Sequence, residues 1–508
     1  MIRLGMLYYV QRNPRGGPEI PALLRRKRMY KAEKTEQMTF EDFNQSCGMK
    51  LDMNDEWIVV AGRVDWNAVE ERYMEFFPSK RGRPALGARM ALGALIIQLR
   101  MKLSDRGLIK EIGRNPYYQY FIGMAAYQTK CPFKHGVLPE LRKRFWMEFL
   151  VAINETILKQ AKPTPEHAGK KEEKPSPNGN LGTMILDASC SPSNIRYPQD
   201  FSLLNEAREK LDAMIDKLHP LADEPRRPRT YRKVLRKKYL AMAKAKKRPA
   251  KKMRSLVRVL LCAVKRNMAF VDAYLAKGLI LEDKWDRWNL DAIRKLYAQQ
   301  KEMFDEGKHR VADRIVSITQ PYLRPIVRGK AKAPVEFGAK YDVSVDEKGH
   351  ARLEKISFDA YNECTVLKDV LERYRERTGH YPKRVLVDQV YRTKENREYC
   401  ERRGVKMSGR RPGRPPADEK ERRRAERAER KDDVDRIEVE RFFSRDKRCF
   451  GAGLVMTKLS KTTLGCIALS VLVANLFDAS LSFFAFYFAE AADGVPAVHL
   501  MEVLDDAA

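Results

Sequence analysis

Apolar positions along the chain follow two periods. Between Ala85 and Met101 they recur at helical spacing, and Ser104 then offers an N-cap for a second, shorter helix that carries Leu108, Ile109 and Ile112 and is terminated by Asn115-Pro116. Upstream, from Phe40 to Phe77, the pattern is mixed, with Trp57-Ile58-Val59-Val60 and Trp66 as apolar anchors of a small helical region. After a Pro-, Lys-, Glu- and Gly-rich stretch without apolar patterning, Lys162–Asn180, the period changes. Gly182-Thr183-Met184-Ile185-Leu186-Asp187 reads as a buried strand ending in a carboxylate. Helical spacing resumes over Ser202–Asp216 and again over Ala269–Phe304, where Trp285 and Trp288 stand. Two strands, Phe337–Val345 and Ala351–Ser357, flank the hairpin signal Asp346-Glu347-Lys348-Gly349. A helix over Thr365–Arg377 leads through Gly379-His380-Tyr381-Pro382 into a second aspartate-ended strand, Arg384-Val385-Leu386-Val387-Asp388. Thr393–Arg402 predicts a helix, Gly404–Ser408 a short strand, Val434–Phe443 a helix, and a long apolar helix starts at Leu464.

Charge narrows the class of partner. The 508 residues carry a net charge of +31, which points to a polyanion. The excess is local: between Pro225 and Arg266 stand 18 Lys or Arg and no Asp or Glu, interleaved with Tyr231, Leu235, Tyr239, Leu240 and Val257. Beside a duplex such a run would neutralise several phosphates, so Arg232, Lys233, Arg236 and Lys237 are candidate DNA contacts. The compact loop Lys80-Arg81-Gly82-Arg83-Pro84 precedes the first helix pair, and helix, turn, helix with a basic flank suits a helix-turn-helix-like unit; Arg81 and Arg83 can enter an A·T-rich minor groove. The eight cysteines form no Cys-x-x-Cys pair and the seven histidines join no ligand set, which argues for a reducing compartment and against zinc. The apolar run Met6–Val10 is too short for a signal-peptide core. Leu464–Ala489 carries one charge, Asp478, and is long enough to span a bilayer, but Asn475, Asp478 and the small polar residues within it favour a core helix.

From Asp187 onward, leaving aside the basic helical stretch, the order is strand, strand, strand, helix, strand, helix, strand, helix, which resembles a ribonuclease H-like fold. Strands ending in Asp187 and Asp388 that lie side by side would bring two carboxylates together, to bind a cation or to shift each other's pKa. In that fold the third acid belongs to the late helix, where Glu438 and Glu440 both qualify. Arg436, Glu440 and Lys447 fall on one helical face at i, i+4 and i+11, and Glu438 is turned about 200° from Arg436. Glu440 is the choice.

Longer stretches resemble the DDE transposases of bacterial IS5/IS4-type insertion sequences. They are Lys80–Met124; Leu186-Asp187-Ala188-Ser189 with Ile195–Asp200 and Leu203–Arg208; Ser317–Pro321 with Val335–Lys340; and Asp388-Gln389-Val390-Tyr391-Arg392 with Glu395-Asn396-Arg397. The family's Tyr-x2-Arg-x3-Glu-x6-Lys signature is met by Arg436, Glu440 and Lys447, with Asp433 in place of the Tyr. The resemblance implies that Asp187, Asp388 and Glu440 are catalytic and hold Mg²⁺ or Mn²⁺, as two ions. It implies that Arg436 and Lys447 contact phosphates, and that the reaction nicks transposon ends and transfers the strand into target DNA. The implied partners are double-stranded DNA and a second copy of the chain, with no membrane and no small-molecule substrate, in the cytoplasm and on the nucleoid when DNA-bound.

The expected fold is α/β: a ribonuclease H-like catalytic domain with a mixed five-stranded sheet and a helical insertion, plus an N-terminal all-α DNA-binding domain. Residues 1–37 read as a basic extension without order, 38–160 as the helical domain, 161–180 as linker and 181–490 as the catalytic domain. The insertion covers about 205–312 and a basic segment 409–432, and 491–508 form a tail. Two alternatives share these features: a ribonuclease H-like nuclease that cuts without joining, and an inactive DNA-binding descendant.

Overall fold

The computed structural model describes residues 51–77, 83–160, 175–327, 335–410 and 418–491, together with 28–29 and 413. The basic extension, apart from 28–29, and the C-terminal tail lie outside the described residues, apart from Ala491. A mixed sheet dominates the second half. Its strands are β1 (Thr183–Pro192), β2 (Arg324–Val327), β3 (Val335–Asp346), β4 (Ala351–Ser357), β5 (Arg384–Val387) and β6 (Lys406–Met407). β1 is central, antiparallel to β3 on one side and parallel to β5 on the other, and β6 extends the parallel side. β3 pairs antiparallel with β4 through Lys340–Val345. This mixed strand order is consistent with a ribonuclease H-like domain. Six strands are present where the sequence predicted five, because β3 runs to 12 residues; β4 covers only its later part, and β2 takes the free edge at Val335–Gly338. The hairpin turn falls at Gly349, whose φ of +80° suits glycine. Gly338 is required for another reason: a Cβ there would stand 2.0 Å from the Ser191 carbonyl oxygen of β1.

Each face of the sheet is covered by helices for which the strand alternation prepares it. On one face Met184, Leu186, Val385 and Val387 pack with α12 (Leu367–Thr378) and α13 (Lys394–Arg402). Thr393 caps α13 as its position predicts, accepting from the Asn396 N–H at 3.3 Å. On the other face Ile185, Tyr341, Val343, Val345 and Leu386 meet α14 (Glu419–Cys449) and α15 (Ser460–Ala491). α14 is 31 residues long, three times the segment that apolar periodicity alone picked out.

The helices before the linker, α1 (Glu56–Ala61), α2 (Trp66–Met74), α3 (Ala88–Arg100), α4 (Asp105–Ile112), α5 (Pro116–Phe121), α6 (Leu138–Arg144) and α7 (Met147–Gln160), join this second face in one continuous core. Trp57 makes edge contacts with Tyr118 and Phe121 of its own unit and with Phe477 of α15. Ser460–Phe477 is long and apolar enough to cross a membrane, the one such stretch among the described residues, yet 72% of it is buried in this core. Asn475 accounts for its polar interruption, linking the Ala351 backbone and Asn154 of α7.

Between β1 and β2 the chain builds a separate helical cluster. α8 (Asp200–Leu218), α9 (Arg232–Lys244), α10 (Ala250–Ala276) and α11 (Lys284–Glu306) surround Leu204, Leu211, Leu260, Val264, Ile293 and Leu296. The stretch predicted as one helix over Ala269–Phe304 is two, because Gly278 adopts φ +85° and Asp283 caps a new start.

One buried carboxylate ties β4 to α12. Burial alone would raise the Glu354 pKa, but the Arg377 and Arg373 charges and the Ser344 hydroxyl hold it down to about 2. A depressed folded-state pKa contributes stability that is full above the unfolded value near 4.5 and lost as the pH falls towards 2. Urea unfolding of Glu354→Gln should show a loss of about 3 kcal/mol at pH 7 that shrinks below pH 4.

Candidate active site

The parallel register of β1 and β5 pairs Thr183 with Arg384 and Leu186 with Val387, so Asp187 and Asp388 occupy the next position on adjacent strands. Asp187 faces Val343 across the antiparallel pair and therefore shares the face that α14 covers. Alternation from Leu386 puts Asp388 on that face as well. Asp388 then caps a short helical turn, Gln389–Tyr391, accepting from the Gln389 N–H at 2.7 Å, which holds its carboxylate at the strand end.

α14 is pinned over this pair at two points. Arg384 binds Asp432 at 3.1 Å and Asp435 at 2.6 Å, and the Tyr341 hydroxyl donates to buried Asp446 at 2.8 Å. Tyr341 lies opposite Ser189 and Arg384 opposite Thr183. Thr183 to Ser189 spans about 20 Å of strand, and Asp433 to Asp446 about 20 Å of helix, so helix and strand advance in step. The turn from Glu440 to Phe443 thereby comes level with Asp187. Val439, Phe442 and Phe443 fill the interface.

Burial raises the Asp187 pKa to about 6; the Ala188 N–H and the Arg436 charge oppose this, and Glu363 and Asp388 add to it. Arg436 therefore marks the flank of α14 that looks on the aspartates. Glu440 is on the same flank and pairs with Arg436 at 3.1 Å. Glu438 is on the other, near Arg441 and Arg445 at 3.7 Å each. Lys447 lies two turns beyond Glu440, half-buried. No three His, Cys, Asp or Glu side chains converge to hold a metal among the described residues. The physical reason is local: with Arg436 beside it, the Glu440 carboxylate is turned to a cation already present. Two aspartates on one face, one raised by burial and by the other's charge, are a hard oxygen donor set that suits Mg²⁺ or Mn²⁺.

Sequence reasoning overlooked a second acidic set behind the first. Asp342, opposite Ala188 and so on the other face, is fully buried and accepts from the Tyr361 and Tyr391 hydroxyls. Burial raises its pKa to about 6 despite those donors. Glu363 binds Lys340 at 2.6 Å and acts on both Asp187 and Asp342. The alternation Lys340, Asp342, Ser344 along β3 is the signal that could have flagged a polar inner face.

The remaining candidates are spread over the surface. Arg81 lies outside the described residues, and Arg83 is described only as backbone, paired with Arg28. In the helix pair, α3 is buried and α4 exposes Arg106 and Lys110. Arg232 is held by Asp216 at 2.9 Å, whereas Lys233, Arg236 and Lys237 are exposed. Arg236 reaches a cleft of about 320 Å³ beyond the end of β1, also lined by Arg196, Tyr197, Glu206 and Tyr239.

Two stretches of the chain are similar to known transposase families. The pattern described as "Transposase DDE domain" matches residues 385–477, which hold β5, Asp388 and most of α14 and α15. "Transposase domain (DUF772)" matches residues 45–144. These two matches support a DDE transposase of insertion sequences. The chain is also 26% identical over 156 residues, 30% of its own length and 69% of the relative's, to "Uncharacterized protein ORF8 in nfe locus" of Rhizobium meliloti. No solved structure matches it.

A raised carboxylate pKa costs stability once the group ionises. The folded protein binds more protons than the unfolded chain between pH 3.8 and about 6, so stability falls as the pH rises through that window. Asp187→Asn should therefore stabilise the metal-free protein by about 1–3 kcal/mol at pH 8, the gain disappearing near pH 4, as read by thermal melts across pH.

Proposed function

We propose that the transposase cuts DNA at the ends of its element and joins the freed strand to target DNA, with Asp187, Asp388 and Glu440 as the catalytic carboxylates, in the manner of the IS5/IS4-type enzymes. The observation that carries this reading is the pair Asp187 and Asp388 on one sheet face, under a helix whose Arg436 and Glu440 stand on the flank beside them. Mg²⁺ or Mn²⁺ held by these carboxylates, as two ions, would supply Lewis-acid stabilisation of the attacking and leaving oxygens at phosphorus. The protein's own part is placement. β1 and β5 fix two carboxylates on rigid strands, and α14 supplies the third from a helix pinned at both ends of the contact. Arg436 and Lys447 bind phosphates next to the cut, so that Arg436 exchanges Glu440 for DNA when substrate arrives.

DNA is the partner that the family implies. We assign duplex contacts to Arg81 and Arg83 before the first helix pair, and to Arg232, Lys233, Arg236 and Lys237 on α9, with Arg232 also orienting α9 through Asp216. A homodimer synapsing two ends, in the cytoplasm and on the nucleoid, completes the proposal.

Strand transfer of labelled element ends in Mg²⁺ or Mn²⁺ tests it. Joined products should form with wild type and fall at least about 10³-fold in Asp187→Ala, Asp388→Ala and Glu440→Ala, and about 10- to 100-fold in Arg436→Ala. Cutting without joining by wild type would make the enzyme a nuclease, and joining retained in Asp388→Ala would remove the catalytic assignment. Salt-sensitive binding without chemistry in any variant would leave a DNA-binding protein.

A further inference from the structure

α14 is longer than the surface it covers. Its second half, from Asp432, packs on the sheet, while the first half, Glu419–Lys431, buries no residue and continues past the N-terminal ends of β5 and β6. A helix segment without an apolar face gains nothing from packing. What it has instead is segregated charge. Lys420, Arg424, Arg427 and Lys431 recur at i, i+4, i+7 and i+11 and form one exposed stripe, and Glu419, Glu421, Glu426 and Glu429 all fall outside it.

Ion pairing follows the same division. Arg423 pairs with Glu419, Arg422 with Glu426 at 4.0 Å and Arg410 with Glu429 at 2.8 Å. Among the described residues, no ion pair neutralises Lys420, Arg424, Arg427 or Lys431. The acids thus quench arginines beside the stripe and leave the stripe itself charged. At its Lys431 end the stripe opens into a cleft of about 390 Å³ between α14 and the sheet, lined also by Lys383 and Lys406.

A basic track of about 17 Å matches about five successive phosphates of one DNA strand. It lies at the N-terminal ends of β5 and β6, whereas Asp388 stands at the C-terminal end of β5, so backbone held here lies away from the phosphate being cut. We propose that the first half of α14, together with Lys383 and Lys406, is a second DNA-binding surface that grips the backbone of a duplex tract away from the cleavage site. The inference rests on the transposase reading for the nature of the polyanion, and on the charge division and the cleft for its place.

The test compares full-length wild type with K420Q/R424Q/R427Q/K431Q, using a duplex that carries the element's end and continues into its interior. The slope of log affinity against log salt should become shallower by about 3 to 4 in the variant. Hydroxyl-radical footprints should lose one protected tract away from the cut and keep protection at the cut. The charge-preserving variant K420R/R424K/R427K/K431R should retain both tracts and the wild-type slope, which separates loss of charge from loss of fold. An unchanged slope with both tracts intact overturns the proposal and leaves the transposase reading standing. Loss confined to the cleavage-site tract overturns the placement. Wild type that binds the duplex without salt dependence overturns the proposal and the DNA reading together.

Discussion

The candidate site depends on the way α14 is fastened to the sheet. A helix rises about 1.5 Å per residue and a strand about 3.3 Å, so only a helix locked in direction and height keeps a chosen side chain level with a chosen strand position. Arg384 provides the first lock, with Asp432 and Asp435, and Tyr341 the second, with Asp446. Both anchors reside on the strands that flank or pair with β1. The polar anchors set height, and the apolar residues between them, Val439, Phe442 and Phe443, hold the helix down. Neither alone would do both: apolar packing tolerates sliding by a turn, and isolated ion pairs tolerate rolling.

That fastening makes an unfavourable electrostatic arrangement sustainable. Asp187 is desolvated and lies in the fields of Asp388 and Glu363, and its pKa rises accordingly. Arg436 answers from the helix, the one basic group whose charge is felt at Asp187 among the main contributions. A second buried acid, Asp342, is kept on the opposite face and satisfied by two tyrosine hydroxyls, so it adds negative potential without competing for the same space. The sheet therefore stores acidity on both sides of β3 and β1, the condition in which a divalent cation gains most from binding.

The chain's periodicities made the strands legible because this sheet is buried on both faces. Continuous apolar runs such as Met184–Leu186 and Val385–Val387 have no other stable home, and each ends abruptly in an aspartate. The candidate third acid, Glu440, rested only on spacing along a helix whose true length was hidden. Residues Glu419–Lys431 lack an apolar stripe, so nothing in hydrophobic patterning could extend the helix backwards. Asp342 and Glu363 were missed for the opposite reason. They sit among residues whose partners, Tyr361, Tyr391 and Lys340, are distant in sequence or unremarkable by type, and only the fold brings them together.

The same distinction explains why the two halves of α14 do different work. In the half over the sheet, burial dictates sequence: Val439, Phe442, Phe443 and Asp446 face inward, leaving Glu440 and Arg436 on a flank. In the projecting half burial dictates nothing, and a helix there must be held by local pairs such as Arg423 with Glu419 and Arg422 with Glu426, each worth about 0.3–0.5 kcal/mol at best. If solubility and helicity were all that mattered, acids and bases could alternate around the whole circumference. They do not: every acid lies off the line of Lys420, Arg424, Arg427 and Lys431, so the segment forgoes ion pairs that its own composition could have made. A rigid element whose four positive charges in one row meet no acid among the described residues is arranged for an external row of negative charge, and it is joined, through one continuous helix, to the residues beside Asp187.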